Sequence, residues 1–471
     1  MISRAHIMGL AFLRLLLAGP AFAQTTDDQN TFDFSLPGAR SRALGGAFVA
    51  IADDATSVYS NPGGLTQLLR PEVSVEGRYW GLTSQAIDHG HGFGRATGTG
   101  VDTIEGFVDK NFRSDVAGLS FLSFVYPGDR WAVGVFRHQL ARYRMDRQIQ
   151  GPFFDCRGGF RERGPDGTDI SKEPFCEPQA AADGVDREFP KVQSFDLDIH
   201  SLGTAFAYDW SDNLSAGIAV QYFSFSLAST NRVFAARGEQ KYQSPNFAYP
   251  QNLELISTQS GDDHAWAINA GLLWDVSPQW TIGTSFRQGP KFTFSTSLFL
   301  GPAQAPEPPV PDNPFNVPDT FSIGVLHRFT NFWRISFEYD KTNFHQLIDD
   351  FQDTTGDQNS EEFKVLKRSV RLNSANQFRV GSEYLVLTPS SRVFALRGGA
   401  WYDPSHQAYL DANEATGLPA PRWAVLLPKR DGTWHVSGGI GFTARRHLQI
   451  DAAADFSELI DTVSISSVWR F

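Results

Sequence analysis

The stretch EVSVEGRYW, residues 72–80, decides the fold class. Val73, Val75 and Tyr79 fall on one face of an extended chain, and Glu72, Ser74, Glu76 and Arg78 on the other. A period of two marks a strand with one apolar and one polar face. FWRISFEYD (332–340) repeats it, with Trp333, Ile335, Phe337 and Tyr339 opposing Arg334, Ser336, Glu338 and Asp340. HLQIDAAADF (447–456) does the same, with Leu448, Ile450 and Phe456 against Gln449, Asp451 and Asp455.

Outward from these, the pattern predicts about fourteen strands. They lie near 72–80, 116–127, 130–142, 190–209, 213–228, 264–276, 279–300, 318–330, 332–342, 374–387, 392–403, 432–444, 447–458 and 462–471. The connections alternate in length. Tight links at 127–130, 209–213, 276–279, 329–332, 388–391 and 444–447 trade places with long polar ones at 81–115, 143–189, 229–263, 301–317, 343–373 and 404–431. Only the last link, near 459–461, breaks the alternation by being short. Short turns at one end and long loops at the other are the build of a transmembrane antiparallel β-barrel. A closed barrel is the one sheet that leaves no unpaired edge in lipid. The chain ends TVSISSVWRF, with Val463, Ile465, Trp469 and Phe471 on one face. A terminal strand ending in Phe resembles the signal by which the barrel-assembly machinery recognises bacterial outer-membrane proteins.

Composition agrees. Aromatic residues make up 13% of the 471, with 39 Phe and 11 Trp, as suits rings placed at a membrane interface. A net charge of −11 leaves no basic surface for nucleic acid. Residues 1–23 read as a secretory signal peptide: an early arginine, an apolar run interrupted by Arg14, and Ala21-Phe22-Ala23 as the cleavage signal. A membrane anchor is the alternative, but the run is short and broken by charge. Beyond residue 23 no window approaches the roughly 18 apolar residues of a membrane helix. In an oxidising compartment Cys156 and Cys176 are expected to form a disulfide that closes a local polar loop.

The barrel is expected to span 72–471, which leaves 24–71 as a separate N-terminal segment, too short for a core of its own. Within it SRALGGAFVAIADDATSVYSNPGGL (41–65) has neither period. Its natural place is the lumen, as a plug in which Gly45, Gly46 and Ala47 allow close backbone contact. Asp53 or Asp54 is expected to cap a short helical turn, ATSVYS. Pro62 is expected to stop that turn, and Gly63-Gly64 to lead the chain into the first strand.

With these residues in place, the sequence resembles the outer-membrane long-chain fatty acid transporters (FadL-like), which include channels for aromatic hydrocarbons. The resemblance rests on GARSRALGGAFVAIADDATSVYSNPGGL. It extends through DDHAWAINAGLLWDVSPQWTIGTSFR (262–287), VPDTFSIGVLHRF (317–329), FRVGSEY (378–384) and LRGGAWYD (396–403). The motif residues are Gly45, Gly46, Asp53, Asp54, Asn61, Pro62 and Gly63; Gly63 stands where the family usually has alanine. The resemblance implies a fourteen-stranded barrel closed by an N-terminal hatch. It implies uptake of a hydrophobic ligand held in an apolar pocket and released sideways through the wall. The mature N-terminus of relatives reaches that pocket. This chain carries a longer polar tail, QTTDDQNT, so Phe32 and Phe34 are the residues expected to reach it.

The polar strand faces place Glu76, Arg78, Arg287, Lys291, Arg379, Glu383 and Arg397 as candidates for the lumen, where a mutually paired interior is the plain reading. The sharper expectation is that Arg287, Lys291, Arg379 or Arg397 meets a ligand carboxylate. Asp88-His89-Gly90-His91 reads as a solvated loop rather than a metal site, and no cofactor is expected. No G-x-S-x-G, H-E-x-x-H or phosphate loop is present. The expected role is therefore a channel for hydrophobic molecules in the outer membrane, partnered by its lipids. A general porin, an accessory barrel of a secretion or assembly machine, and a barrel enzyme remain as alternatives.

Overall fold

A computed structural model describes residues 32–471 except 35, 156–160, 164–168, 172–183, 237, 249–251, 300–307, 350–363, 365–367, 390–391, 412–427 and 445–446. The predicted signal peptide, Cys156, Cys176 and the tail before Phe32 lie outside the described residues.

The wall is a closed antiparallel barrel of fourteen strands. In chain order they are β1 (Glu72–Gly92), β2 (Gly106–Pro127), β3 (Trp131–Ile149), β4 (Lys191–Ser211), β5 (Leu214–Phe234) and β6 (Leu253–Ser277). Next come β7 (Trp280–Arg287, resuming as Lys291–Phe299) and β8 (Val310–Asn316, resuming as Thr320–Arg328). The wall is completed by β9 (Trp333–Thr342), β10 (Ala375–Leu387), β11 (Arg392–Asp403), β12 (Thr433–Ala444), β13 (Leu448–Phe456) and β14 (Ile460–Arg470). Each pairs with its neighbour in sequence, and β1 closes on β14 from Glu72↔Arg470 to Leu82↔Ile460.

The predicted alternation is present with its burial inverted relative to a soluble sheet. In β9 Trp333 and Phe337 are exposed to the outside, while Ser336, Glu338 and Asp340 are buried in the lumen. Lipid solvates the apolar face, and the enclosed polar face must find partners inside. Trp274 and Trp266, both exposed on β6, are eight positions apart. That is roughly 27 Å of strand, which the usual tilt of about 40° projects to nearly the height of the ~25 Å apolar band.

The structure departs from the sequence reading in three places. Strands β1, β2, β3, β5 and β6 run on well past their predicted ends, so much of 81–115 and 229–263 is strand rather than loop. Above the membrane the outer face also meets water, and the polarity contrast that reveals a strand is lost. The predicted single segment 279–300 is broken at 288–290, beside a second break at 317–319 in β8. Pro290 and Pro318 cannot donate to a ladder, and there Gly289 N–H turns to Asp319 Oδ1 at 2.8 Å. Finally, Gly63-Gly64 do not turn into β1. They lie in a 3₁₀ helix, Pro62–Gln67, where a Cβ on Gly64 would stand 2.2 Å from Ala52 O. Close approach, not a turn, is why glycine is needed.

Candidate functional site

Residues 36–68 fold as a floor across the lumen. The segment holds two short helices, α1 (Ala39–Ala43) and α2 (Ser57–Ser60), and the 3₁₀ helix. Between them the chain turns at Gly45 and Gly46, with φ of 64° and 78°. Asp54 accepts from Thr56 N–H at 2.9 Å as the chain enters α2; Asp53 instead binds Arg40 and Arg334.

Such an irregular segment has backbone groups with no ladder partner, and a buried one must be satisfied elsewhere. Lumen side chains satisfy them. Glu338 accepts from Phe48 N–H and Val49 N–H, both at 2.7 Å. Glu76 accepts from Gly38 N–H at 2.9 Å. Ser336 donates to Ala47 O and Ser215 to Gly63 O, each at 2.7 Å. Asn61 Nδ2 donates to Val49 O at 2.8 Å and to Leu272 O at 3.0 Å, joining floor to wall.

The wall yields space where the floor backbone approaches. A Cβ on Gly217 would meet Pro62 C at 2.4 Å, on Gly271 Asn61 Oδ1 at 1.9 Å, on Gly283 Val49 O at 2.3 Å, and on Gly399 Gly45 N at 2.3 Å. These glycines, with Gly324, Gly381 and Gly439, form a belt on which the floor rests.

An ion-pair network locks it. Glu383 on β10 takes Arg40 Nε at 3.1 Å, Arg334 Nη2 at 2.6 Å and Arg397 Nε at 2.6 Å. Arg397 reaches on to Asp451 at 2.6 Å. Burial works against the Arg40 charge, but Asp53, Glu383 and Asp54 together outweigh it and hold its pKa above the ordinary arginine value.

Above the floor the lumen turns aromatic. Phe225 stacks on Phe292 at 4.8 Å and meets Phe315 at 5.2 Å. Phe32, from the N-terminal segment, enters this group edge-on to Tyr143 at 5.1 Å and to Phe315 at 6.3 Å, with Phe195 at 6.4 Å. Two clefts flank it. One, of about 50 Å³, is lined by Phe32, Phe34, Arg42, Arg287, Phe344, Arg379, Trp401 and His406, among others. The second, of about 30 Å³, is lined by Phe32, Leu82, Ser84, Tyr143, Met145, Phe195 and Ile460, among others. His406 Nε2 meets Phe32 O at 3.1 Å, and its ring stacks on Phe344 at 3.8 Å.

The second cleft lies behind a split in the wall. β2 and β3 pair only from Phe121↔His138 to Pro127↔Ala132. Beyond that rung β2 pairs with β1 alone, as far as Phe107, and β3 with β4, as far as Ile149. Ser114 Oγ to Arg144 O and Arg137 Nη1 to Leu119 O are hydrogen bonds bridging the two strands there.

The sequence candidates therefore separate. Phe32 and Phe34 line the first cleft, and so do Arg287 and Arg379. Arg379 is held by Asp340 at 2.6 Å, and Arg397 belongs to the floor network. Arg287 reaches only Ser285 Oγ, at 3.5 Å, among the described residues. Lys291 is a correction. It is exposed, because the break at 288–290 shifts the phase by one and turns Phe292 inward. The inward aromatics Phe195, Phe225, Phe292 and Phe315 escaped the sequence reading, although QYFSFSLAST (221–230) already shows the apolar phase changing face.

A plugged fourteen-stranded barrel with an aromatic lumen defines a class: outer-membrane channels that close their own bore. Residues 191–465 match the family described as outer membrane protein transport protein (OMPP1/FadL/TodX), and the chain belongs to it. In fold it is similar to the toluene transporter TbuX of Ralstonia pickettii, at 16% identity and a TM-score of 0.52, over 94% of this chain and 100% of that one. It is also similar to the Pseudomonas putida toluene transporter TodX (15% identity, TM-score 0.54, 93% and 99% covered). A FadL homologue of Pseudomonas aeruginosa is a third (13%, 0.56, 93% and 99%). No curated protein sequence matches the chain.

Proposed function

We propose that the chain takes up hydrophobic small molecules across the outer membrane by binding and release, without covalent chemistry. The observation that carries this reading is the aromatic cage around Phe32, which sits above a tied floor and beside a split wall. An apolar ligand gains about 0.8 kcal/mol for each methylene it buries in such a pocket. Phe32 holds the place a ligand ring would take, so entry displaces it. Exit is sideways, through the split between β2 and β3, because the floor is tied to the wall by hydrogen bonds and ion pairs on many strands. Arg287 is the cationic candidate best supported as the partner of a ligand carboxylate, since it alone of the four lines the cleft without an ion pair among the described residues.

The test is uptake of labelled toluene and of a labelled long-chain fatty acid by cells that make the chain and by cells that do not. Faster entry of at least one probe is expected, with small ion conductance in planar bilayers. Equal entry in both cells, or a large steady conductance like that of an open porin, defeats the reading.

A further inference from the structure

Near the extracellular end, above the aromatic cage, the lumen carries a band of side chains that the uptake reading does not use. On β5 it begins two inward positions above Phe225, with Ser229 and Asn231. β6 adds Ser257 and Gln259, β7 adds Thr296, and β8 adds Asn313. Register makes the band continuous. Ser257 stands opposite Asn231, and Gln259 opposite Ser229; Thr296 stands opposite Gln259 on the other side. Directly opposed residues of antiparallel strands share a face, with Cβ atoms about 5 Å apart. All six are at most 7% exposed. Apolar layers lie on both sides: Phe225, Phe292 and Phe294 toward the floor, and Val233, Leu255 and Leu298 toward the rim.

Buried amides in such a place normally bond to one another or to the backbone. Two of these do not. Both amide atoms of Asn231 and both of Gln259 lack a hydrogen-bond partner among the described residues. Asn313 directs its Nδ2 to Val310 O at 2.9 Å and to Thr296 Oγ1 at 3.4 Å, and its Oδ1 has no partner among the described residues. Five polar atoms, two donors and three acceptors, thus remain unpaired among the described residues between two greasy layers. Leaving such groups unmade is costly unless something arrives to complete them. The six positions carry no ionisable group. The nearest inward charges are on neighbouring strands. Gln193 on β4 stands opposite Asn231. Arg147 on β3 stands opposite Gln193 and donates to Ser84 Oγ at 2.6 Å. Lys191, one inward position beyond Gln193, is joined to Glu188 at 3.1 Å.

We infer that this band is a recognition site for an uncharged hydroxyl group carried by an otherwise apolar molecule. A hydroxyl donates once and accepts twice, which matches a cluster offering both donors and acceptors. A carboxylate would find no cation among these six positions, and a bare hydrocarbon would leave all five atoms unpaired. Because the band lies between the rim and the cage, it sorts what enters. The inference rests on the uptake reading and names the substrate class within it: apolar alcohols over their parent hydrocarbons.

The test measures equilibrium binding of dodecan-1-ol and of dodecane to the purified full chain in amphipol. The wild type is compared with Asn231→Leu/Gln259→Met, whose side chains keep similar volume without the amides. The alcohol should lose roughly tenfold in affinity, the loss of about one to two net hydrogen bonds, while dodecane holds or gains. The unfolding temperature of the ligand-free variant should not drop, because the amides have no partners to lose. Equal change for both probes, no change for the alcohol, or an unfolding temperature lower by several degrees overturns the inference and leaves uptake standing. If neither probe binds the wild type, the uptake reading itself fails. Should the double variant not fold, as judged by heat-modifiable mobility, the single variants Asn231→Leu and Gln259→Met are read by the same criteria.

Discussion

The two ends of β5 face the same lumen with opposite chemistry. Toward the floor, Ile218, Val220 and Tyr222 point out to lipid and Ala219 and Gln221 point in. Farther up, Phe223, Phe225 and Leu227 point in, while Ser224, Ser226 and Ala228 occupy the outer positions. The lower lumen is thus small and polar, shaped to hold the chain's own backbone. The upper lumen is large and aromatic, shaped to hold something else. One half of the bore is finished by the protein itself, and in the uptake reading proposed above the other is finished by a ligand.

If the lower half is a lock, removing its central carboxylate should have the largest effect. Glu383 is buried and holds Arg40, Arg334 and Arg397. Glu383→Gln leaves three guanidinium groups sharing one fewer anion, and breaking a buried pair costs about 3–5 kcal/mol. Denaturant unfolding followed by tryptophan fluorescence should show a loss of that order. A loss below about 1 kcal/mol, the range of exposed pairs, would mean that the floor is not tied as described.

The belt supplies the next test, with its control one residue away. A Cβ at Gly399 would lie 2.3 Å from Gly45 N, whereas one at Gly398 meets only Ser437 O, at 3.9 Å. Gly399→Val should cost about 1–3 kcal/mol through overpacking and raise ion conductance in planar bilayers as the floor lifts. Gly398→Val should leave conductance at the wild-type level. Equal behaviour of the two variants would remove the belt from the account.

In the upper half the effect that tests the comparison is on binding, read beside the stability cost of opening a cavity. Phe225→Ala removes the ring that stacks on Phe292 and meets Phe315. Burying such a side chain is worth about 1.5–3 kcal/mol. Affinity for an apolar probe should therefore fall by about tenfold or more. Native mass spectrometry of the purified barrel reads this directly, and unaltered retention would place the ligand elsewhere.

How much of this was legible beforehand follows from the same contrast. Lipid imposes a strict apolar face, so the fourteen membrane segments stand out from period alone. FWRISFEYD needed nothing else. Above the lipid that constraint ends, and the long upper parts of β1 and β2 looked like loop. The floor motif was readable because its glycines and Asn61-Pro62 break every period, but its partners were not. Glu338, Ser336 and Gly399 lie roughly three hundred residues downstream, and only register brings them under it. Arg287 and Lys291, four positions apart, belong to one face of an unbroken strand. The break at Gly289-Pro290 separates them, and its phase slip exists only once Asp319 is known to take the Gly289 N–H. The cage aromatics were visible as a change of phase within QYFSFSLAST, a signal that calls for reading each strand in halves.

The smallest effect expected lies where the two halves meet, at the contact that holds Phe32 down. Both ring nitrogens of His406 face acceptors: Nδ1 meets Pro404 O at 3.1 Å, with Asp403 at 3.4 Å, and Nε2 meets Phe32 O at 3.1 Å. A neutral imidazole has one N–H and can serve only one side. Burial opposes the His406 charge, but Asp403 and the two carbonyls outweigh it and raise its pKa above 6.5. A histidine raised in the folded state contributes fully below pH 6.5, and that contribution fades as pH climbs through the raised value. The hold on Phe32 should therefore be firm in mild acid and slacken in alkali. Hydrogen exchange of the peptide spanning residues 32–36, corrected for the intrinsic rate, should show modestly falling protection above neutrality, and His406→Gln should flatten that dependence. Protection that rises with pH, or that is unchanged by His406→Gln, would show that Phe32 is held by its aromatic neighbours alone.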